Sequence, residues 1–384
     1  MKRRHLLGAA AALALAAGLA LAPSGPARAQ DVVKIANIAE LSGPGATAGV
    51  NWRDGAAMAV EEINAQGGIL GKQIELTEYD SQSDAQTSRA MVQKAIDDGA
   101  FALLGTVYSG STIVNMLVAQ QEGIPQFTGS ESARITAMGN PYIFRTSFGS
   151  QKSMPKIAQY MQDEMGVKKV AIVWANTEFG KAGHEAFVAQ MEDRGIEIIA
   201  DVPTENAQAD FAADVVKVKG SGADAVFVYL TEEESARFLR EAKKQGLTLP
   251  LVGETTLIGQ KVIDLAGDAA DGAMGHVSLT PDAPNPAVQD MAARFEAKYK
   301  YRADHNAIKG YIGAWAIKYA AEQAGEIDSE KLAETLHGLK LTAADHPGVL
   351  IDVSWDDTGE VSRESYLVEV EGGKQVVKAT LPAN

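Results

Sequence analysis

Short apolar runs alternate with segments of helical spacing from residue 32 to residue 252. Val32-Val33-Lys34-Ile35-Ala36 reads as a strand that ends at the turn Ser42-Gly43-Pro44-Gly45. Beyond it, Ala56, Ala59, Val60 and Ile63 fall on one face of a helix that Gly67-Gly68 terminates. The pattern then predicts a strand over 74–79, a helix over 85–97, a strand over 101–104, a helix over 113–121 and a strand from Pro125. Parallel strands need long crossovers, so this βαβαβα order predicts a parallel sheet covered by helices on both faces.

The rhythm restarts after Gly149. Helices over 154–165, 179–194, 211–218 and 232–245 lead to strands over 169–174, 196–202, 223–229 and 249–252 respectively. The halves share an architecture without evident repetition of sequence. The fold class is therefore α/β, with two Rossmann-like lobes. The tail departs from the rhythm. Helices near 286–301 and 307–323 precede short strands around 349–353, 366–370 and 375–379, and the tail is expected to pack onto both lobes.

The first 29 residues read as an address. Lys2, Arg3 and Arg4 precede an Ala/Leu run to Ala22, then Pro23, Gly25, Pro26 and the small-x-small triplet Ala27-Arg28-Ala29. These are the three regions of a cleavable secretory signal. Arg3-Arg4 before Leu6-Leu7 leaves both the general and the twin-arginine export routes open. The sequence has no cysteine, which excludes a lipid anchor, a disulfide framework, thiolate-bound metal and a cysteine nucleophile. Loss of the segment removes four positive charges and deepens the net charge from −15 to −19, a poor balance for nucleic acid. A soluble, monomeric periplasmic protein is expected.

Catalytic signatures are missing. The six histidines show no HxxxH spacing, and there is no GxSxG elbow and no Walker A run. Gly43-Pro44-Gly45-Ala46-Thr47-Ala48-Gly49 follows a strand, but its spacing is GxGxxxG with a proline inside, so it reads as a tight turn feeding a helix. More informative are two Ser/Thr-rich loops. Gly105–Thr112 follows one predicted strand, and Thr128-Gly129-Ser130-Glu131-Ser132 follows its neighbour. Both lie at the carboxyl ends of parallel strands, where open α/β sheets bind ligands. Free N–H groups and hydroxyls at a helix start suit a carboxylate, and the same residues also serve as ordinary N-caps.

Several runs together resemble the solute-binding proteins of branched-chain amino-acid ABC transporters, the type I periplasmic binding family. They are Leu41-Ser42-Gly43-Pro44, Ala59–Gly71 with its INxxGGIxG core, Tyr79-Asp80-Ser81, Phe144-Arg145-Thr146, Phe179-Gly180 and Ala266–Gly272. The resemblance implies two lobes joined by three crossovers, near 147–150, 277–280 and 352–362. Lobe 1 would comprise residues 30–147 and 279–360, and lobe 2 residues 148–278 and 361–384. Ligand would bind between lobes that close by hinge motion.

The resemblance also implies a binding site, position by position. The carboxylate-binding serine falls on Ser109, with Tyr108 beside it. The next loop's contacts fall on Ser130 and Ser132. The second-lobe aromatic falls on Phe179, without the tyrosine hydroxyl common in amino-acid binders. A first-lobe aromatic position falls on Ala48, with Trp52 one turn later able to fill its space. A further aromatic contact falls near Tyr229–Glu232. The acid that pairs with an amino acid's ammonium falls on Thr255; Glu254, one residue away, and Glu232 are the alternative acids. Glu232, Glu233 and Glu234 also suit a helix N-terminus.

The implied function is capture of a branched-chain or related amino acid and its delivery to an ABC permease and its ATPase subunits, without catalysis or cofactor. A non-amino-acid carboxylate such as an aromatic acid, a small amide, and ligand sensing for a separate receptor remain as alternatives.

Overall fold

The computed structural model describes residues 32–383, so the signal reading at residues 1–29 lies outside the described residues. The first sheet holds β1 (Val33–Ala39), β2 (Ile74–Asp80), β3 (Ala102–Leu104), β4 (Gln126–Thr128) and β5 (Ile143–Arg145), in the order β2-β1-β3-β4-β5, all parallel. Its helices include α1 (Ala46–Ala65), α2 (Ala85–Asp97), α3 (Ser109–Glu122) and the short α4 (Arg134–Ala137). Strands β3 and β4, inside the sheet, and β5 at its edge are buried at every position, the pattern of strands covered on both faces.

The chain then builds a second sheet. It contains β6 (Lys169–Ala175), β7 (Glu197–Thr204), β8 (Ala225–Tyr229), β9 (Leu251–Gly253) and β10 (Met274–Val277). The intervening helices are α5 (Ser150–Asp163), α6 (Glu178–Arg194), α7 (Ala212–Lys219), α8 (Glu232–Lys244), α9 (Thr255–Ile258) and α10 (Gln260–Ala266).

The tail serves both lobes. Helices α11 (Pro286–Tyr299), α12 (His305–Ala324) and α13 (Ser329–Leu336) return to the first. A three-stranded antiparallel sheet joins them there, made of β11 (Lys340–Leu341), β12 (Val353–Trp355) and β13 (Val361–Ser362). The hairpin β14 (Ser365–Glu371) and β15 (Lys374–Leu381) completes the second sheet, in the order β15-β14-β10-β9-β8-β6-β7.

One contact fixes the position of α12. A Cβ on Gly55 of α1 would meet the Ala307 carbonyl oxygen at 1.9 Å, and one on Gly310 would meet that of Trp52 at 2.3 Å. The two 20-residue helices therefore cross backbone to backbone, which glycine alone permits. That crossing carries the N-terminus of α12 to the edge of the interlobe cleft.

Two expectations need correction. The strand expected at 349–353 is instead a 3-10 turn at Pro347–Val349, followed by Leu350 at φ 63°. Proline lacks the ladder N–H and a left-handed residue breaks the extended run, so the strand begins at Val353. The range 352–362 holds the β12–β13 hairpin, and the third crossing lies after it, at Arg363-Glu364.

Candidate functional site

A cleft opens between the lobes at the carboxyl ends of the central strands. From the first lobe it is lined by the start of α3 (Tyr108 to Ser111), by Gly129 and Glu131 after β4, and by His305, Asn306 and Lys309 of α12. From the second it is lined by Thr177 to Phe179 after β6, Thr231-Glu232 after β8 and Thr256 after β9.

The first-lobe side is built on a hidden acid. Glu40, at the end of β1, is fully buried and accepts the N–H groups of Val107 (3.2 Å) and Tyr108 (2.9 Å). This fixes the loop that starts α3. Burial pushes the Glu40 carboxyl up to about 7, against those hydrogen bonds. Ser109 Oγ accepts the N–H of Ser132 at 3.2 Å, which leaves its own proton free for a partner in the cleft. The first N–H groups of α3 have no intrahelical acceptor, so hydroxyl and helix start together suit an anion.

Ser130 sits below that surface. Its hydroxyl donates to the Val107 carbonyl at 2.8 Å and shares a 2.6 Å hydrogen bond with Thr112. Trp52 lies deeper still, fully buried, with Nε1 donating to Asn37 Oδ1 at 2.9 Å. A Cβ on Gly129 would meet its ring at 2.9 Å, so Trp52 forms the floor beneath the Gly129 loop.

Charge in the cleft is distributed unequally. Glu131 and Lys309 are buried and pair at 2.8 Å, so they cancel. Glu178 is held by Arg134 and Ser132 at the rim. Glu232 is only 4% exposed and has no cationic partner within ion-pair distance except His305, whose Nε2 is 3.8 Å away. Burial and the neighbouring Lys309 hold His305 well below its ordinary range, so the ring is neutral. Burial, then the charge of Glu233, pushes the Glu232 carboxyl from 4.5 up to about 8. Asn306 Nδ2 donates to Glu232 Oε1 at 3.3 Å, while Asn306 Oδ1 and Thr256 Oγ1 are buried without a hydrogen-bond partner. The three adjacent glutamates therefore separate. Glu234 closes a capping box with Thr231, and Glu232 faces the cleft.

Of the residues singled out in the sequence, Tyr108, Ser109, Phe179 and Glu232 line the cleft. Ser130, Ser132, Trp52 and Tyr229 lie immediately behind it, with Tyr229 stacked on Phe179 at 4.2 Å between centroids. Glu254 turns away from it. Its carboxylate caps α9 and contacts His276 Nδ1 at 2.7 Å, both residues being buried. Thr255 is fully buried beside it, and the next residue, Thr256, is the one that reaches the cleft. The sequence reading placed Glu131 in a ligand loop without assigning it a contact, and missed Thr256, Lys309, His305 and Asn306. The last three come after the second sheet's β10, on a helix that the Gly55–Gly310 crossing brings to the cleft.

Comparison with known proteins is extensive. The family model described as periplasmic binding protein matches residues 32–375. A leucine-, isoleucine-, valine-, threonine- and alanine-binding protein of Pseudomonas aeruginosa is 30% identical over 311 residues, covering 80% of this chain and 83% of that protein. The Leu/Ile/Val-binding protein of Escherichia coli K12 is 27% identical, covering 90% of this chain and 92% of that one. A branched-chain amino acid transporter substrate binding protein from Streptococcus pneumoniae, solved with isoleucine, superimposes with a TM-score of 0.83 at 25% identity, covering 92% of this chain and 99% of that one. A solute binding protein from R. palustris, solved with benzoate, has the same fold, with a TM-score of 0.84 at 23% identity, covering 92% and 97%.

Proposed function

The chain belongs to the periplasmic binding protein family, and from that premise we propose that it is the substrate-binding component of an ABC importer that captures an α-amino acid between its lobes. Members of this family are substrate-binding transport proteins, and the curated relatives named above bind amino acids. In our reading the ligand's carboxylate sits on Ser109 and the start of α3, its side chain lies against Phe179 and Tyr108, and its ammonium faces Glu232. The loaded form then docks on a membrane permease with its ATPase subunits, and the chain itself is not an enzyme. Among the described residues no helix is long and apolar enough to cross a membrane, and we place the mature protein in the periplasm as a monomer.

The observation that carries this reading is the acceptor cluster at Glu232. An ammonium brings three N–H donors and one positive charge. Glu232 offers a carboxylate with no Lys or Arg within ion-pair distance, and Asn306 Oδ1 and Thr256 Oγ1 offer two buried acceptors that no protein group bonds. Buried acceptors need donors, and an ammonium held in this cleft brings three.

A second reading has one observation in its favour. A Glu232 carboxyl pushed up to about 8 is neutral at pH 7 and can donate a hydrogen bond, which suits a carboxylate or amide ligand without an amine. Calorimetric titration of the mature, ligand-stripped protein decides between them. The panel is leucine, valine and phenylalanine, their 2-oxo acids, benzoate and a short amide. The proposal expects tight binding of the amino acids and weak binding of the oxo acids; the reverse order refutes it in favour of the second reading.

A further inference from the structure

At the rim of the cleft the two lobes meet in a further polar contact. Ser132 and Arg134 of the first lobe both reach Glu178 of the second. Ser132 Oγ donates to Glu178 Oε1 at 3.1 Å and Arg134 Nη1 to Glu178 Oε2 at 2.9 Å. Both carboxylate oxygens are thus engaged from across the cleft. The contact needs both partners held in place, and both are. Glu178 opens α6, whose N-cap Thr177 accepts the N–H of Gly180 at 3.2 Å. On the other side, the buried Arg145 guanidinium donates to the carbonyls of Ser130 and Ser132 and pairs with Glu360 at 2.9 Å. The Glu131 carbonyl accepts the N–H of Ser150 at 2.8 Å. The loop from Ser130 to Ser132 is therefore a rigid platform presented to Glu178.

We infer that Ser132, Arg134 and Glu178 form an interlobe latch, which gives the empty protein a populated closed form and slows ligand escape from the filled one. An opening of the cleft pulls Glu178 away from both donors, because they sit on opposite lobes. The latch is tuned to be weak. Arg134 is 61% exposed at its side chain and its ion pair is screened, so it adds a factor of about 2–5. The Ser132 contact is half-buried and charge-assisted, and it brings the whole latch to roughly 10-fold. A stronger latch would trap the empty form closed.

The absence of cysteine permits a direct test. Spin labels placed by R89C on α2 and E185C on α6, both exposed, report the interlobe distance in the ligand-free protein. The latch predicts a closed population that falls in E178Q and E178R and, less, in R134E. The double variant R134E/E178R recovers more of it than the product of the single effects allows. With leucine as probe, R134E raises the off-rate about 3–5-fold with little change in on-rate. Arg134 does not line the cleft, so that effect is not a lost ligand contact. A wholly open empty protein, or the same distance distribution in wild type, E178Q and R134E, overturns the latch. The distance measurement needs no ligand. A shift in distance without leucine binding would sustain the latch and count against the amino-acid reading on which the leucine experiment rests.

Discussion

Replacing Glu232 by Gln tests the ammonium site most directly, and its size follows from the structure. An exposed glutamate titrates near 4.5, whereas Glu232 in the closed cleft is pushed up to about 8 by burial. With no cation present, closing the cleft at pH 7 therefore obliges the carboxyl to take up a proton, at a cost of about 3 kcal/mol at ~1.4 kcal/mol per pH unit. The sign is set by the direction of the shift. Below pH 4.5 the group is protonated whether open or closed and the cost vanishes; between 4.5 and 8 it grows with pH, and above 8 it levels off. A ligand ammonium removes this cost by keeping the carboxylate ionised. Glu232→Gln keeps the shape but leaves that ammonium buried without a counter-charge, a loss of about 3–5 kcal/mol, or roughly 10²–10⁴-fold in affinity. The same change removes the proton uptake for a ligand without an amine, so 2-oxo acids bind the variant at least as well as they bind wild type. Titration calorimetry at pH 7 in two buffers of different ionisation enthalpy reads affinity and proton uptake together. Leucine should bind wild type with little proton uptake and the Gln variant hundreds-fold more weakly. An E232Q protein that binds leucine within about 3-fold of wild type would refute the argument.

Ser109→Ala should weaken carboxylate ligands by ~1–3 kcal/mol, the range for a buried group left unpaired, and unchanged affinity in the same calorimetry would remove Ser109 from the site. Asp304, the buried N-cap of α12, is pushed by burial from 3.8 up to about 6, so its folded form holds the proton more tightly and stability falls as pH rises through that window. Asp304→Asn, which keeps the cap, should therefore raise the melting temperature at pH 7.5 and leave it nearly unchanged at pH 3.5; a lower melting temperature at pH 7.5 contradicts this. Arg363→Met removes a buried guanidinium that donates to the Thr146 carbonyl at 2.8 Å and the Ser278 carbonyl at 3.4 Å. Chemical denaturation should show a loss of about 2–4 kcal/mol, and a stability within ~0.5 kcal/mol of wild type would show that the tie contributes little.

The layers of this fold were legible because each strand is short, apolar and separated from the next by a helix of clear period. The site was legible only where it lies in the loops of that rhythm. Ser109, Phe179 and Glu232 each follow a strand that the pattern predicts, and the topology sends such loops to the cleft. Lys309, His305 and Asn306 are different. They sit on α12, which is buried nearly all round and so carries no strong amphipathic stripe to say which end meets the cleft. Its placement depends on two glycines 255 residues apart, and no local pattern links them. Glu254 misled for a related reason. An acid one residue from the expected position looks like a slipped match, yet its side chain is taken by His276 on the neighbouring strand β10, a partner visible only once the strands pair.

The cleft and the hinge share one hydrogen-bonded network. Glu131 faces the cleft, and its carboxylate accepts from Ser147 Oγ at 2.9 Å, while Ser147 belongs to the first crossing between the lobes. Arg363 belongs to the third, and binds the carbonyls of Thr146, just before the first, and Ser278, in the second. Glu360, just before it, pairs with Arg145, which holds the Ser130 and Ser132 carbonyls of the cleft loop. These groups are all buried, so a broken link leaves an uncompensated charge or carbonyl, and each link therefore resists being stretched singly. The network predicts that any rotation of the lobes carries these segments together. A loop that lines the ligand site is bonded to the segments that must bend, and a ligand that favours one position of that loop favours one position of the lobes.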